Sequence, residues 1–389
     1  MSTADECELV AVVGRGNEIA KAAVAAWDAG HAILPINPDL TAAELEQLLI
    51  RLRPTELNGE RRRDGEPVPA GTAAVVVTSG TAGAPKGVEL TTAGMDVMGR
   101  GYSAGLDAGP GDRWLAALPL HHVASLAVIA RAYVTGVPYV VHDSFDVDRV
   151  AAEPREEGTT IVSLVPTTLR RLLDADAPLH EYRRVIVGGA PCPPGLRARA
   201  EATGVVLVDA YGLSETWGGF ALNGVPIAGA EVRLAGDNEI LVRGAMVMRA
   251  YRRDVVRTTD VLETDGWLHT GDVGQIDNHG CVEVIDRVRD LVITGGVNVS
   301  PTEIEAVLIE HPNVADVCVI GAPDEEWGER VVAVVVPADR HSVPTLEQLR
   351  DFARAQLSGP KLPREVRIAA QIPRSNSGKP LRRVLRETS

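Results

Sequence analysis

The sequence of 389 residues lacks any long apolar run. No stretch approaches the roughly 18 consecutive apolar residues that a membrane-spanning helix needs. The first residues, 1–6, are acidic rather than basic, which is not the pattern of a secretory signal. We therefore expect neither a membrane span nor a signal peptide, and a cytoplasmic location.

Cysteine and positive charge are also in short supply. The four cysteines are far apart and show no paired metal-ligand spacing, so we expect buried free thiols rather than a zinc site. They are Cys7, Cys192, Cys281 and Cys318. The formal net charge of −14 argues against nucleic acid or an anionic membrane as the main partner. Any site for an anion must be built locally.

Lysine is scarce in this sequence, and nearly all of the other positively charged residues are arginine. The four lysines are Lys21, Lys86, Lys361 and Lys379. Lys86 and Lys379 each lie in a glycine-containing stretch, where a compact ammonium group on a flexible stem can enter a crowded site that excludes a planar guanidinium. A genomic preference for arginine would produce the same scarcity of lysine. The prediction that these two lysines enter a crowded site therefore rests on their glycine-containing context.

The stretch 78–88 follows the apolar run 73–77 and concentrates glycines, hydroxyl side chains and Lys86. Glycines let the backbone approach an anion, while N–H and hydroxyl groups donate to phosphate oxygens. The pattern predicts a strand that leads into a phosphate-binding loop, although a flexible linker would look similar. The candidate residues are Thr78, Ser79, Gly80, Thr81, Gly83 and Lys86. Because Lys86 precedes Gly87 rather than Ser or Thr, a Walker A loop is excluded.

The remaining pattern predicts an α/β fold with two domains. Over residues 1–286, short β-branched runs alternate with Ala- and Leu-rich helical patterns, which is typical of a large domain of layered, mostly parallel sheets and helices. From residue 287 to residue 389 the pattern changes to a compact α+β unit, which is long enough for a small mobile domain.

Further motifs follow the phosphate loop at residues 118–122, 211–216, 266–272, 286–287 and 377–379. Together with the loop they resemble, in collinear order and over nearly the whole chain, the acyl-adenylating superfamily of acyl-CoA ligases, adenylation domains and luciferase. Each motif alone would be weak. The stretch 212–216 could suggest a serine hydrolase, but a nucleophile elbow needs glycine where Thr216 stands.

The resemblance implies that the chain binds ATP, Mg²⁺ and coenzyme A. It implies that Glu215 is a magnesium ligand and that Asp272 accepts hydrogen bonds from the ribose hydroxyls. Arg287 would contact the same sugar or a phosphate, and Tyr211 would offer a flat face to adenine. The remaining nucleotide-binding candidates are Gly189, Ala190, Gly212 and Ser214, the last standing where the family usually has Thr.

In this superfamily a lysine that corresponds to Lys379 bridges the substrate carboxylate and the α-phosphate, where its charge stabilises the transition state. Lys379, Glu215 and His122 are thus the implied catalytic residues. The family commonly has an aromatic residue and then His near the acyl carboxylate, so His122 inherits that role and His121 replaces the aromatic residue. A structural core histidine is the alternative for either ring.

Within the superfamily, residues 119–126, 163–173 and 187–191 most resemble the o-succinylbenzoate:CoA ligases of menaquinone synthesis. The phosphate loop starts early, so the large domain is abbreviated at its N-terminus. Arg171 matches the position proposed to meet the second carboxylate of that substrate, for which a guanidinium is well shaped. A surface helical arginine is the alternative. Gly188, His121 and His122 are the other implied substrate contacts.

The implied reaction is ATP-dependent formation of an acyl-AMP with release of pyrophosphate, followed by formation of the CoA thioester. The small domain would rotate between the two steps about a hinge that maps to Arg289, where most relatives carry Asp or Lys. The expected partners are thus a small carboxylic acid, ATP and CoA, and no oligomeric state is predicted. The alternatives are another acyl-CoA ligase, an enzyme that loads a carrier protein, and a non-catalytic nucleotide-binding protein.

Overall fold

A computed structural model describes residues 5–78, 85–374 and 380–387. The helices begin where local capping chemistry favours it. The hydroxyl of Thr41 accepts the N–H of Glu44, while the Glu44 carboxylate accepts the N–H of Thr41 at 2.8 Å. Pro166 and Pro301 stand at the starts of their helices. The helices are Gly16–Asp28, Ala42–Leu52, Thr92–Gly105, Val123–Thr135, Val147–Glu156, Pro166–Asp174, Pro194–Glu201, Val255–Val261, Pro301–Leu308, Leu346–Ala353 and Arg382–Glu387.

Two sheets with parallel centres form the larger part of the described chain. The strands of the first sheet, in spatial order, are Ala250–Tyr251, Lys86–Thr91, Thr72–Thr78, Ala32–Ile36, Leu9–Val13, Glu56–Leu57 and Glu60–Arg61. Those of the second are Tyr139–Val141, Trp114–Ala116, Ile161–Leu164, Arg184–Gly188, Leu207–Tyr211, Ala221–Leu222 and Val225–Pro226. One buried cluster contains Val76 of the first sheet and Trp114 of the second. The two sheets therefore share a core.

A third sheet differs from the mostly parallel arrangement predicted for this part of the chain. Its strands are Glu231–Leu234, Glu239–Arg243, Leu268–Ile276 and Val282–Arg287, and all of their pairings are antiparallel. Two of the connections are tight turns, which can join antiparallel strands but are too short for a parallel crossover. The predicted α/β fold is confirmed, with parallel strands at the centres of the first two sheets, whereas the sheet formed by residues 231–287 is antiparallel throughout.

The C-terminal part has its own sheet and buried cluster, as the α+β prediction requires. Its strands are Val292–Thr294, Val297–Val299, Val314–Asp324, Gly328–Pro337 and Glu365–Ile368. The carboxylate of Asp286, at the end of the third sheet, accepts from the Ser300 hydroxyl at 2.6 Å and from the Thr302 N–H at 2.9 Å. The predicted division at residues 286 and 287 falls at this link and stays a prediction.

The predictions about membrane-spanning helices and about the cysteines can now be compared with the fold. Of the helices in the described ranges, none is both long and apolar enough to cross a bilayer. All four cysteines are free thiols, as predicted, with Cys7 and Cys318 buried and Cys192 and Cys281 half-buried. Burial raises the pKa of the Cys318 thiol to about 12, so this residue is an unreactive part of the core.

Candidate active site

The phosphate loop is held by a pair of strands. Thr78 ends one strand and lies opposite Lys86, which begins the neighbouring antiparallel strand. Ser79, Gly80, Thr81 and Gly83 lie outside the described residues. Gly87 is required by close packing, because a Cβ atom there would lie 2.6 Å from Leu52 Cδ2. The strand pair therefore fixes both ends of the predicted loop.

The second sheet supplies the candidates for contact with the nucleotide base. Gly188 and Tyr211 end two adjacent parallel strands. In open α/β sheets, ligands bind in the crevice outside the carboxyl ends of such strands. Gly189 and Ala190 follow immediately and are exposed, with Gly189 at a φ of +77°. Gly212 follows Tyr211 in the other strand, so the structure gathers these five candidates at one edge of the sheet.

Asp272 is the centre of a buried polar cluster formed by three predicted residues. Its carboxylate accepts a hydrogen bond from the Tyr211 hydroxyl at 3.0 Å. It also forms an ion pair with Arg287, whose Nε lies 2.9 Å away. Asp272 and Arg287 are cross-strand partners in the third sheet, and Asp272 is only 3% exposed. Burial is the main cause that raises the pKa of Tyr211, and the negative charge of Asp272 is the second. The phenol therefore stays protonated and remains a hydrogen-bond donor.

Glu215 and Lys86 both contact a tyrosine that sequence reasoning missed. The Tyr251 hydroxyl donates to Glu215 Oε1 at 2.6 Å, and Lys86 Nζ lies 4.4 Å from the centroid of the Tyr251 ring. Tyr251 belongs to none of the recognised motifs and is 36 residues from Glu215 in sequence. No local pattern could have connected the two residues.

The surroundings of Glu215 suit a magnesium ion that arrives with a nucleotide. The carboxylate is half-buried, and its Oε2 atom has no hydrogen-bond partner among the described residues. The described parts of the chain contain no group of three His, Cys, Asp or Glu side chains that could enclose a metal. Magnesium in nucleotide sites typically takes one or two carboxylates plus phosphate oxygens. Ser214, the predicted nucleotide-binding residue that precedes Glu215 in sequence, is half-buried.

His121 and His122 lie together at the start of the helix Val123–Thr135, with ring centroids 4.3 Å apart. His121 is half-buried and His122 is exposed. Burial, with a smaller effect from His122, lowers the pKa of His121 to about 4, so this imidazole is neutral at pH 7. These contacts do not distinguish the role predicted for His121 from the role predicted for His122.

Arg171 is a candidate that contacts none of these clusters. Arg171 is exposed, and its guanidinium lies 4.9 Å from the ring centroid of Phe145. Among the described residues it has neither a hydrogen-bond nor an ion-pair partner, so its donors are available. Lys379 lies outside the described residues.

The arrangement of Asp272, Lys86 and Glu215 is compatible with a site for a nucleotide and its metal ion. Residues 51–252 match the family of AMP-binding enzymes, and residues 303–379 match the C-terminal domain of the same enzymes. The chain belongs to this family. The predicted superfamily, and the predicted class of AMP-forming acyl-CoA synthetase, are confirmed.

Curated relatives include a probable 2-succinylbenzoate-CoA ligase of Mycobacterium tuberculosis, which is 37% identical over 82% of this chain and 84% of that protein. A long-chain-fatty-acid-CoA ligase of the same species is 34% identical over 80% and 67%. Solved structures of o-succinylbenzoate CoA synthetase from Bacillus subtilis are also similar. One, with the acyl-adenylate intermediate OSB-AMP, has a TM-score of 0.86 at 27% identity and covers 98% of this chain and 88% of that one. Another, with ATP and a magnesium ion, has a TM-score of 0.85 at 27% identity over 98% and 89%.

Proposed function

We propose that this protein activates 2-succinylbenzoate as an acyl adenylate and transfers the acyl group to coenzyme A, as a step of menaquinone biosynthesis in the cytoplasm. The observation that carries the proposal is the similarity to the probable 2-succinylbenzoate-CoA ligase over 84% of that protein. The general activity rests on family membership, whereas the choice of acid rests on this similarity and on Arg171.

In the proposed adenylation step, a carboxylate oxygen of the acid attacks the α-phosphorus of ATP. An O–P bond forms, the bond between the α- and β-phosphates breaks, and pyrophosphate leaves. Thr78 and Lys86 contact the phosphates, and Asp272 and Arg287 hold the ribose. Glu215 would hold a magnesium ion, whose positive charge would offset the charge on the phosphates.

Arg171 is the proposed receptor for the second carboxylate of the acid. Its guanidinium is stacked on Phe145, and stacking leaves the edge that carries the N–H donors available. A carboxylate can accept two parallel hydrogen bonds from this edge. His122 lies at a helix start and is proposed to meet the carboxylate that reacts.

In the second step the CoA thiol attacks the acyl carbonyl, a thioester forms and AMP leaves. The similarity to a long-chain-fatty-acid-CoA ligase makes another acid the second candidate. An enzyme that loads a carrier protein would share the adenylation step and differ only in the acceptor.

Pyrophosphate release tests the proposal directly. It is measured with ATP and Mg²⁺ across a panel of carboxylic acids that includes 2-succinylbenzoate, benzoate and a fatty acid, with and without CoA. We expect strong release with 2-succinylbenzoate and a matching CoA thioester by mass spectrometry. Release with another acid alone would contradict the choice of substrate. No release with any acid would favour a non-catalytic nucleotide-binding protein.

A further inference from the structure

We propose that Tyr251 is a positioning residue that orients the Glu215 carboxylate for a nucleotide-bound magnesium ion and keeps Lys86 apart from that carboxylate. The inference rests on the proposed use of ATP and Mg²⁺ but not on the choice of acid. Nothing in the family motifs recognised in the sequence assigns a role to this residue.

Tyr251 touches both charged groups with different parts of one side chain. Its hydroxyl donates to Glu215 Oε1 at 2.6 Å, and its ring lies 4.4 Å from Lys86 Nζ. Glu215 comes from the turn between two strands of the second sheet, Leu207–Tyr211 and Ala221–Leu222, whereas Lys86 begins a strand of the first sheet. The tyrosine is therefore a contact between the predicted metal ligand and the predicted phosphate ligand.

The backbone around Tyr251 is fixed by its own contacts. The side chain is 5% exposed, and its short strand pairs with the strand Lys86–Thr91. The Tyr251 N–H donates to the Thr258 hydroxyl at 2.9 Å, and the Arg252 N–H donates to the Gly87 carbonyl at 2.7 Å. The position of the phenol is thus fixed by the surrounding backbone contacts, and its hydrogen bond can determine where the Glu215 carboxylate points.

The Glu215 turn does not need the tyrosine to hold its shape. The Glu215 carbonyl accepts from the Met248 N–H at 2.7 Å, and the Trp217 indole N–H donates to the Thr91 carbonyl at 3.0 Å. Trp217 is fully buried. Loss of the Tyr251 hydroxyl should therefore free the Glu215 carboxylate and leave the turn in place.

In this proposal the position of Tyr251 prevents a direct ion pair between Lys86 and Glu215. Within the described residues, neither Lys86 nor Glu215 has an ion-pair partner, although both approach the same ring. A direct pair between them would occupy the ammonium that meets phosphate and the carboxylate that meets the metal. A cation over an aromatic face is held without being neutralised. Glu215 Oε2, which accepts no hydrogen bond from the residues that the structure describes, remains available for a magnesium ion.

The test is isothermal titration of ATP into the full-length protein at increasing Mg²⁺, with no acid and no CoA. Tyr251→Phe keeps the ring over Lys86 and removes only the hydroxyl. We expect it to raise the Mg²⁺ concentration for half-maximal ATP affinity about tenfold, as for the loss of one hydrogen bond to a charged group. Tyr251→Leu also removes the ring and should weaken ATP binding further, even at saturating Mg²⁺.

Tyr182→Phe is the matched control, because the Tyr182 hydroxyl is also buried and donates to the Val150 carbonyl at 2.6 Å, away from the nucleotide residues. This variant should bind ATP and Mg²⁺ like the parent protein. Thermal unfolding of each variant separates a loss of positioning from a loss of folding. Equal Mg²⁺ requirements in Tyr251→Phe and the parent protein would overturn the inference.

A lower Mg²⁺ requirement in Tyr251→Phe would also overturn it, since the hydroxyl would then compete with the metal. If the parent protein itself showed no Mg²⁺-dependent ATP binding, the proposed function would fail and this inference with it. A failure of the positioning role alone leaves ATP binding by the parent protein intact, so the two failures are distinguishable.

Discussion

Arg170 and Arg171 are neighbours on the helix Pro166–Asp174, and both are exposed. Only Arg171 is stacked on an aromatic ring, that of Phe145. We expect Arg171→Ala to raise the KM for 2-succinylbenzoate about tenfold or more, because a charge-assisted hydrogen bond is lost, while the KM for ATP changes little. Steady-state kinetics for each substrate measure the split, and Arg170→Ala is the control. Equal effects on both substrates would count against a carboxylate-binding role.

His269 provides a prediction about pH at the same scale. Its Nδ1 lies 2.7 Å from Glu239 and its Nε2 lies 3.0 Å from Glu263, which also pairs with Arg233. The hydrogen bond to Glu239 is the main cause that raises the pKa of His269. The stabilising interaction is thus fully present below the unfolded-state pKa of about 6.5 and is lost as pH rises through the folded-state pKa.

We therefore expect His269→Gln to lower the unfolding midpoint at about pH 6 and to have a smaller effect at about pH 9. Urea denaturation across this range measures the difference from the parent protein. His279→Gln, at an exposed turn position, is the control and should show no such trend. A difference that grows with pH would show that His269 is held as the neutral ring.

At the scale of elements, Arg252 joins the first sheet to the helix Ala42–Leu52. It forms a buried ion pair with Glu89, with Arg252 Nη1 3.3 Å from Glu89 Oε1, and its Nε donates to the Leu52 carbonyl at 2.6 Å. Arg252→Met should cost about 3–5 kcal/mol of unfolding free energy, because Glu89 is left buried and unpaired. Chemical denaturation measures this loss.

Arg253→Met is the matched control for that prediction. Arg253 pairs with Glu66 at 3.0 Å, but both side chains are more than a third exposed. Solvent screens such a pair, so the substitution should cost about 1 kcal/mol or less. Similar losses of unfolding free energy in both variants would mean that burial does not increase the contribution of the Arg252–Glu89 pair to stability.

At the scale of the whole molecule, the proposed reaction divides its two steps between two orientations of the C-terminal domain. Lys379 would act only in adenylation, where its charge stabilises the attack on phosphorus. Lys379→Ala should therefore abolish pyrophosphate release and leave thioester formation from supplied acyl-adenylate largely intact. Chromatography of the two products measures each step separately. Equal loss of both steps would contradict the division, with Lys361→Ala as the control.

Several elements were predictable from sequence because their signals are local. The strand Leu9–Val13 and the helix Ala42–Leu52 follow from a β-branched run and a helical periodicity, and both of these signals depend on nearby residues. The strand Leu207–Tyr211 instead takes its bounds from its pairing with the neighbouring parallel strand Arg184–Gly188. The register of a sheet depends on distant partners, and so do strand ends.

The candidate site shows the same division. Motif residues such as Asp272 and Arg287 could be named from sequence, but their pairing arises from the register of an antiparallel hairpin. The antiparallel orientation of the third sheet could not be predicted from sequence, because a β-branched run has the same pattern in parallel and antiparallel strands.

The sequence by itself determined the family, the order of the motifs and the chemistry available at each, because these depend on residue types at short spacings. Tertiary structure alone decided that Tyr251 reaches Glu215 and Lys86, and that Arg171 stacks on Phe145. These contacts join segments from different strands and helices. Their geometry follows from the order and register of the sheets, which short-range sequence patterns do not contain.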